Sequence, residues 1–144
     1  MTALVLDVGA LIALDRDDRA MWARLRAASD AGDIVAAPAG VVAQTWRGGR
    51  RKAHLARALM HCDEVALDGA VARACGRLCA QTDTDDVIDA SVAVAAAHFA
   101  PVEHTVIATS DPDDIAALTS ALNAQVSIQR VWARRTGSCE RARS

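Results

Sequence analysis

Three segments of this 144-residue sequence join an aspartate to an apolar stretch, and together they limit the folds open to the chain. Asp7 directly follows the apolar run 3–6, Asp111 comes shortly after the run 105–108, and Asp89 opens an alanine-rich helix. Carboxylates that follow buried strands lie at the carboxyl edge of a parallel sheet, where open α/β folds bind ligands. Because clustered carboxylates repel one another unless they are protonated or share a hard divalent cation, the pattern predicts a metal site.

Hydrophobic periodicity predicts alternating strands and helices along the chain. The predicted strands cover residues 3–7, 34–37, 64–67, 105–108 and 125–131, and the predicted helices cover residues 9–15, 16–31, 41–46, 51–60, 70–80, 87–97 and 111–122. This alternation predicts an α/β fold, a three-layer α/β/α sandwich with a mostly parallel sheet. The chain length fits one domain, which we place at residues 1–132, and we expect the basic tail 133–144 to be disordered.

Composition excludes several classes of protein. The formal net charge of −2 argues against a globally basic nucleic-acid-binding protein, so any site for a polyanion must be local. The four cysteines form no CxxC pair, which gives no zinc motif. No segment reaches the roughly 20 apolar residues of a membrane span and no secretory signal is recognised, so we expect a cytoplasmic protein without membrane association.

Some of the aspartates also have a purely structural interpretation. Asp7 precedes Gly9, which would let the backbone turn sharply, and its carboxylate can cap the following helix. Asp111 can cap its own helix in the same way. Asp113 and Asp114 lie in the first turn of that helix, where acidic side chains interact favourably with the positive end of the helix dipole. Capping and metal binding both stay open for Asp7 and Asp111.

Asp89 is harder to explain by capping. Asp86 can cap the helix, whereas Asp89 lies inside the first turn, beside apolar residues that should be buried. A buried carboxylate without a partner is costly, so Asp89 needs a metal ion, a proton or another polar group. Asp86 and Asp89 are three residues apart and share a helical face, which makes Asp86 a further candidate ligand.

The segments LVLDVGALIAL (4–14), VIDASVAVAAA (87–97) and ATSDPDDIAAL (108–118) occur in this order. Their combination resembles the PIN-domain nucleases, particularly the small VapC-type toxins of bacterial toxin–antitoxin pairs. The resemblance implies a PIN-like fold and metal-dependent hydrolysis of RNA phosphodiester bonds.

The same resemblance implies catalytic and metal-binding roles for three aspartates. Asp7, Asp89 and Asp111 would bind Mg²⁺ or Mn²⁺, with Asp86 as a further ligand and Asp114 in a supporting position. The ion would lower the pKa of a bound water and neutralise charge on the phosphate.

One position departs from the family pattern. The family usually carries a glutamate in the helix after the second strand, and PAGVVAQTW places Gln44 there. Gln44 can accept a hydrogen bond from a metal-bound water, but it adds no charge and cannot act as a base. An alternative is therefore a degenerate PIN domain with weak or no metal binding that acts by binding RNA or a partner protein.

A basic run follows Gln44 and supplies a candidate RNA-binding surface. Its residues are Arg47, Arg50, Arg51 and Lys52, and arginine suits phosphate through its planar fork. The alternative interpretation of this run is a solvated helix face. The expected protein partners are a cognate antitoxin, which the resemblance implies, and a second copy of the chain in a homodimer.

Two other α/β classes fit the sequence less well. A phosphoacceptor receiver domain also gathers aspartates at a sheet edge, but it needs paired acids near the first strand and a late lysine, whereas Lys52 is the only lysine. A dinucleotide-binding fold lacks its GxGxxG signature after the first strand.

Overall fold

The computed structural model describes residues 1–48 and 53–131. The strands are β1 (Thr2–Leu6), β2 (Ile34–Pro38), β3 (Asp63–Val65), β4 (His104–Thr109) and β5 (Val126–Arg130). The helices are α1 (Val8–Asp15), α2 (Arg19–Asp30), α3 (Ala39–Thr45), α4 (Ala53–Leu59), α5 (Gly69–Thr82), α6 (Val87–Phe99) and α7 (Pro112–Ala121). The predicted order of elements is confirmed, and the predicted tail 133–144 lies outside the described residues.

The five strands form one sheet in the order β3-β2-β1-β4-β5, and every neighbouring pair is parallel. The central strand β1 pairs with β2 on one side and β4 on the other, and residues 3–6 are completely buried. A strand covered on both faces needs no polar side, which explains its unbroken apolar run. Because the strand order reverses between β1 and β4, the ligand crevice of such a fold lies at their carboxyl ends.

Helices cover the two faces of the sheet, which confirms the predicted three-layer α/β/α sandwich. Right-handed crossovers place α1 to α4 on one face and α5 to α7 on the other. The helix contacts agree, since α1 packs against α2, α3 and α4, whereas α6 packs against α5 and α7. Helix α3 also reaches α6, so the two layers meet near the end of β2.

Several helix boundaries differ from the prediction by one to three residues, and at two of them an aspartate is the cause. Helix α2 begins at Arg19, three residues late, because Asp17 has a positive φ of 58° and Asp18 caps the helix through a first-turn N–H at 2.8 Å. Helix α5 continues to Thr82, into the predicted loop, and ends where Asp83 adopts the left-handed conformation. Aspartates determine both of these boundaries, so the spacing of apolar residues does not predict them.

Helix α6 connects the two hydrophobic clusters of the domain. Val92 and Ala96 belong to the large cluster around the central strands. Ala90 and Ala93 belong to a smaller cluster between α5, α6 and α7. The small side chains let α6 approach both neighbours closely, which explains why this helix is apolar on most of its surface. Among the described residues, none of the helices combines the length and apolarity that a membrane crossing requires.

Candidate active site

Asp7 lies at the carboxyl end of β1 and is only 2% exposed. Its backbone N–H donates to the Ala108 carbonyl at 3.0 Å, which continues the β1–β4 ladder. One carboxylate oxygen accepts from the Val8 N–H at 2.7 Å, and the other accepts from the Thr109 hydroxyl at 2.6 Å. Asp7 therefore begins α1 and is also held against β4, so its carboxylate has a fixed position in the crevice.

Thr109 connects two of the predicted site residues, although the sequence analysis did not single it out. Its buried hydroxyl donates to Asp7 and accepts from the Asp111 N–H at 3.0 Å. A buried hydroxyl that both donates and accepts links the ends of β1 and β4. The available signal was a threonine at the end of an apolar strand, two residues before an acid.

Asp111 occupies the N-cap position of α7, but its side chain makes no capping hydrogen bond and is exposed. Capping therefore does not account for this carboxylate. Asp113 and Asp114 are exposed in the first turn of α7, as the dipole argument expects. The charge of Asp114 is not among the causes of the raised pKa values of Asp7 and Asp89, and its supporting role stays a prediction.

Asp86 and Asp89 begin α6 at the same end of the sheet. Asp86 is exposed and caps the helix by accepting the Asp89 N–H at 2.9 Å, whereas Asp89 is half-buried. Burial raises the pKa of Asp89 to about 7, with further increases from the charges of Asp7, Asp86 and Asp111. A hydrogen bond between the Asp86 and Asp89 side chains acts in the same direction. Asp89 can therefore hold a proton near neutral pH.

The pKa of Asp7 is also raised, and burial is the main cause. The hydrogen bonds from Thr109 and Val8 lower this pKa, but they do not cancel the effect of burial. The negative charges of Asp111 and Asp86 raise the pKa further. We refer to Asp7, Asp86, Asp89 and Asp111 as the acidic cluster, because each acts on the ionisation of another member.

The acidic cluster fits a hard divalent cation by donor chemistry, since it offers only carboxylate oxygens whose charges repel one another. The positions of its side chains fit a metal ion less well than their chemistry does. No group of three or more His, Cys, Asp or Glu side chains in residues 1–48 and 53–131 is arranged to hold a metal ion. The side chains of Asp86 and Asp111 are exposed and have room to reorient toward the fixed carboxylate of Asp7. Metal binding at this site therefore requires that movement.

Gln44, the neutral residue at the family's acidic position, lies in α3 and is exposed. One turn earlier on the same helix face, a Cβ at Gly40 would lie 2.8 Å from Ile88 Cδ1. Ile88 directly precedes Asp89, so this face of α3 approaches the part of α6 that carries the acidic cluster. The Gln44 side chain makes no hydrogen bond to the described residues.

The predicted RNA-binding run is described only at its start. Arg47 is exposed, and its guanidinium donates to the carbonyls of Ala43 and Trp46 at 3.2 and 2.8 Å. Arg47 thus caps the carboxyl end of α3, which is a structural use of this side chain. Arg50, Arg51 and Lys52 lie outside the described residues, so their role stays a prediction.

Gly9 has a different function from the sharp turn that we predicted. It lies inside α1, and no positive φ occurs at this residue. A Cβ at this position would lie 2.5 Å from Ser110 Oγ and 2.7 Å from Ser110 Cβ. Glycine is therefore needed because α1 packs directly on the turn after β4, next to Asp7 and Asp111.

Comparison with known proteins supports the fold. No protein family model and no curated protein sequence matches the chain. The structure is similar to a chain in the crystal structure of VapBC2 from Rickettsia felis bound to a DNA fragment from their promoter. The TM-score is 0.56 with 10% sequence identity, over 90% of this chain and 99% of that chain. The fold is thus PIN-like, of the kind that the sequence motifs resemble.

Proposed function

We propose that this protein is a metal-dependent ribonuclease of the PIN type that acts as the toxin of a toxin–antitoxin pair. The observation that carries the proposal is the acidic cluster at the strand-order reversal. Its buried member, Asp7, lies between β1 and β4, and the backbone N–H of Asp111 reaches it through Thr109. A carboxylate at the N-cap of a helix that makes no capping bond, as at Asp111, is available to a ligand.

In this proposal the residues of the acidic cluster have different tasks. Asp7 is a fixed ligand for Mg²⁺ or Mn²⁺, and the exposed side chains of Asp111 and Asp86 complete the site. The ion, when bound, activates a water and neutralises charge on the phosphate. Asp89 orients the water or holds a proton, a task that suits a carboxyl with a pKa raised to about 7.

The substrate and partners in the proposal come from the family resemblance. RNA is the substrate, and the basic run of Arg47, Arg50, Arg51 and Lys52 contributes contacts to its phosphates. A cognate antitoxin and a second copy of the chain are the protein partners. The fold similarity to a VapBC2 chain supports this choice of family.

A second candidate function is a degenerate PIN domain that binds RNA or a protein without cleaving RNA. Two observations favour it. Gln44 supplies no charge where the family has an acid, and no three ligand side chains of the described residues are arranged for a metal ion. This candidate and the nuclease share the fold and differ in metal affinity.

Titration with Mn²⁺ separates the two candidates. A ligand that binds only the folded state raises the melting temperature by mass action. The nuclease proposal expects millimolar Mn²⁺ to raise the melting temperature of the wild type but not that of Asp7→Asn. Asp30→Asn is the matched control, because Asp30 is exposed at the end of α2, before the amino end of β2. An unchanged melting temperature in the wild type, with no cleavage of an RNA panel, would establish the degenerate candidate.

A further inference from the structure

A mainly apolar cavity of about 300 Å³ opens at the carboxyl edge of the sheet, the edge at which the acidic cluster also lies. Its walls are the carboxyl ends of β2 and β3, the loop before α5 and one stripe of α6. The stripe consists of Ser91, Val94, Ala95 and His98, which have the spacing of one helix face. Ala95 of this stripe also belongs to the large hydrophobic cluster, and Val94 packs against the smaller one, so the cavity borders both clusters.

The position of the cavity connects it to the acidic cluster. Gly40 and Ser91 line the cavity, and the Ile88 side chain lies against Gly40. Asp89 lies two residues before Ser91, so the cavity and the acidic cluster share the first turns of α6.

The polar side chains that line the cavity are Asp68, Ser91 and His98. One Asp68 oxygen caps α5 by accepting the Val71 N–H at 2.9 Å, and its other oxygen has no hydrogen-bond partner in the described part of the chain. The Ser91 hydroxyl donates to the Ile88 carbonyl at 2.6 Å, which leaves its oxygen lone pairs as acceptors. Phe99 adds an aromatic surface.

We propose that this cavity binds a nucleobase and that Asp68 selects bases with an exocyclic amine over uracil. Aromatic and aliphatic walls suit a flat base, and the volume lies at the lower end of the range for ligand pockets. The free Asp68 oxygen accepts from an amine such as that of cytosine, whereas the uracil carbonyl at the same position faces it as a second acceptor. This inference rests on the proposed function, because it gives the proposed ribonuclease a base preference.

The test uses nucleosides, which carry no phosphate and therefore bind without the acidic cluster. The full chain is titrated with cytidine and with uridine, and binding is followed by NMR shifts of backbone amides in the loop before α5 and in α6. Cytidine should bind about tenfold more tightly than uridine, the difference expected for one hydrogen bond to a charged group.

Three variants isolate the cause. Asp68→Asn keeps the capping oxygen, since asparagine is as good an N-cap as aspartate, but directs an NH₂ group at the ligand. This variant should lose the preference for cytidine or reverse it toward uridine. Val71→Phe fills the cavity and should abolish binding of both nucleosides. Ala72→Phe places the same side chain on the exposed neighbouring position of α5 and should leave binding unchanged.

The outcomes separate this inference from the proposed function. Nucleoside binding without RNA cleavage would support the cavity and overturn the nuclease, whereas RNA cleavage without nucleoside binding would do the reverse. Equal binding of cytidine and uridine would overturn the role of Asp68. Shifts of the cavity amides that depend on protein concentration alone would show that a second copy of the chain covers the cavity, and this would also overturn the inference.

Discussion

The helix starts at α2 and α5 differ from those at α1 and α7, although all four follow an aspartate. In each case the backbone carbonyl of the aspartate accepts the first helical hydrogen bond. Asp18 and Asp68 also accept an N–H three residues later with their side chains, as ordinary N-caps do. Asp7 accepts only from the adjacent residue and from Thr109, and Asp111 makes no capping bond. At α1 and α7 the aspartate carboxylate is thus not held by an ordinary capping bond, and both of these carboxylates belong to the acidic cluster.

The largest effect that tests this comparison is on RNA cleavage. Asp111→Asn should lower cleavage at least about a hundredfold, because it removes a charged ligand from the proposed metal site. Its stability should stay within about 0.5 kcal/mol of the wild type, since no capping bond is lost. Asp18→Ala is the opposite case and should cost about 1 kcal/mol of stability without affecting cleavage. Urea denaturation and an RNA cleavage assay measure both quantities. A loss of stability with normal cleavage in Asp111→Asn would make Asp111 a cap like Asp18.

A second prediction concerns how closely α1 approaches the turn after β4. Gly9→Ala should destabilise the protein by about 1–3 kcal/mol, because the new methyl group overlaps Ser110. Gly76→Ala on the open face of α5 is the matched control and should stabilise by about 0.5–1 kcal/mol. Combining Gly9→Ala with Ser110→Gly should restore part of the loss in urea denaturation. Equal effects of the two alanine substitutions would show that α1 is not held against this turn.

A third prediction tests whether the acidic cluster lacks one charge. Gln44→Glu should tighten Mn²⁺ binding about tenfold, which corresponds to about 1.4 kcal/mol, because it adds an anionic ligand on the face of α3 that approaches α6. Calorimetric titration measures the affinity, and cleavage at low metal concentration should accelerate in parallel. If neither changes, Gln44 does not face the metal, and its alignment with the acidic position of the family is wrong.

The smallest expected effect is on stability as a function of pH. The pKa values of Asp7 and Asp89 are raised in the folded chain, so the folded state keeps protons that the unfolded state has lost. The contribution of Asp89 is complete below the ordinary value of 3.8 and is lost as pH rises through about 7, and the raised pKa of Asp7 acts in the same direction. Because Asp89 is partly exposed, screening limits the change to under about 1 kcal/mol.

Denaturation midpoints between pH 5 and pH 8 test this prediction. In the absence of metal, the denaturation midpoint should decrease as the pH rises toward 7. In Mn²⁺ the midpoint should depend less on pH, because the ion favours the ionised carboxylates. Asp18→Ala should retain the slope of the wild type. A midpoint that rises with pH over this interval would show that the carboxylates are not held in a burial-raised state.

Much of the fold was predictable from local patterns. The apolar run of β1 predicted a strand covered on both faces, and the Asp111-Pro112 pair predicted the start of α7. The starts and ends that depend on an aspartate were less predictable, as at α2 and α5. Side-chain hydrogen bonds and positive φ values set these boundaries, and the spacing of apolar residues gives no information about either.

The sequence by itself determined the order of strands and helices, the apolar character of β1 and α6, and the aspartates that follow or begin these elements. These features are local, because each depends on residues within a few positions of one another. Only the tertiary structure decided that four aspartates form one cluster, that Thr109 joins Asp7 to Asp111, and that Gly9 packs against Ser110. These contacts depend on β1 lying beside β4, a pairing of residues about 100 positions apart that no local pattern specifies.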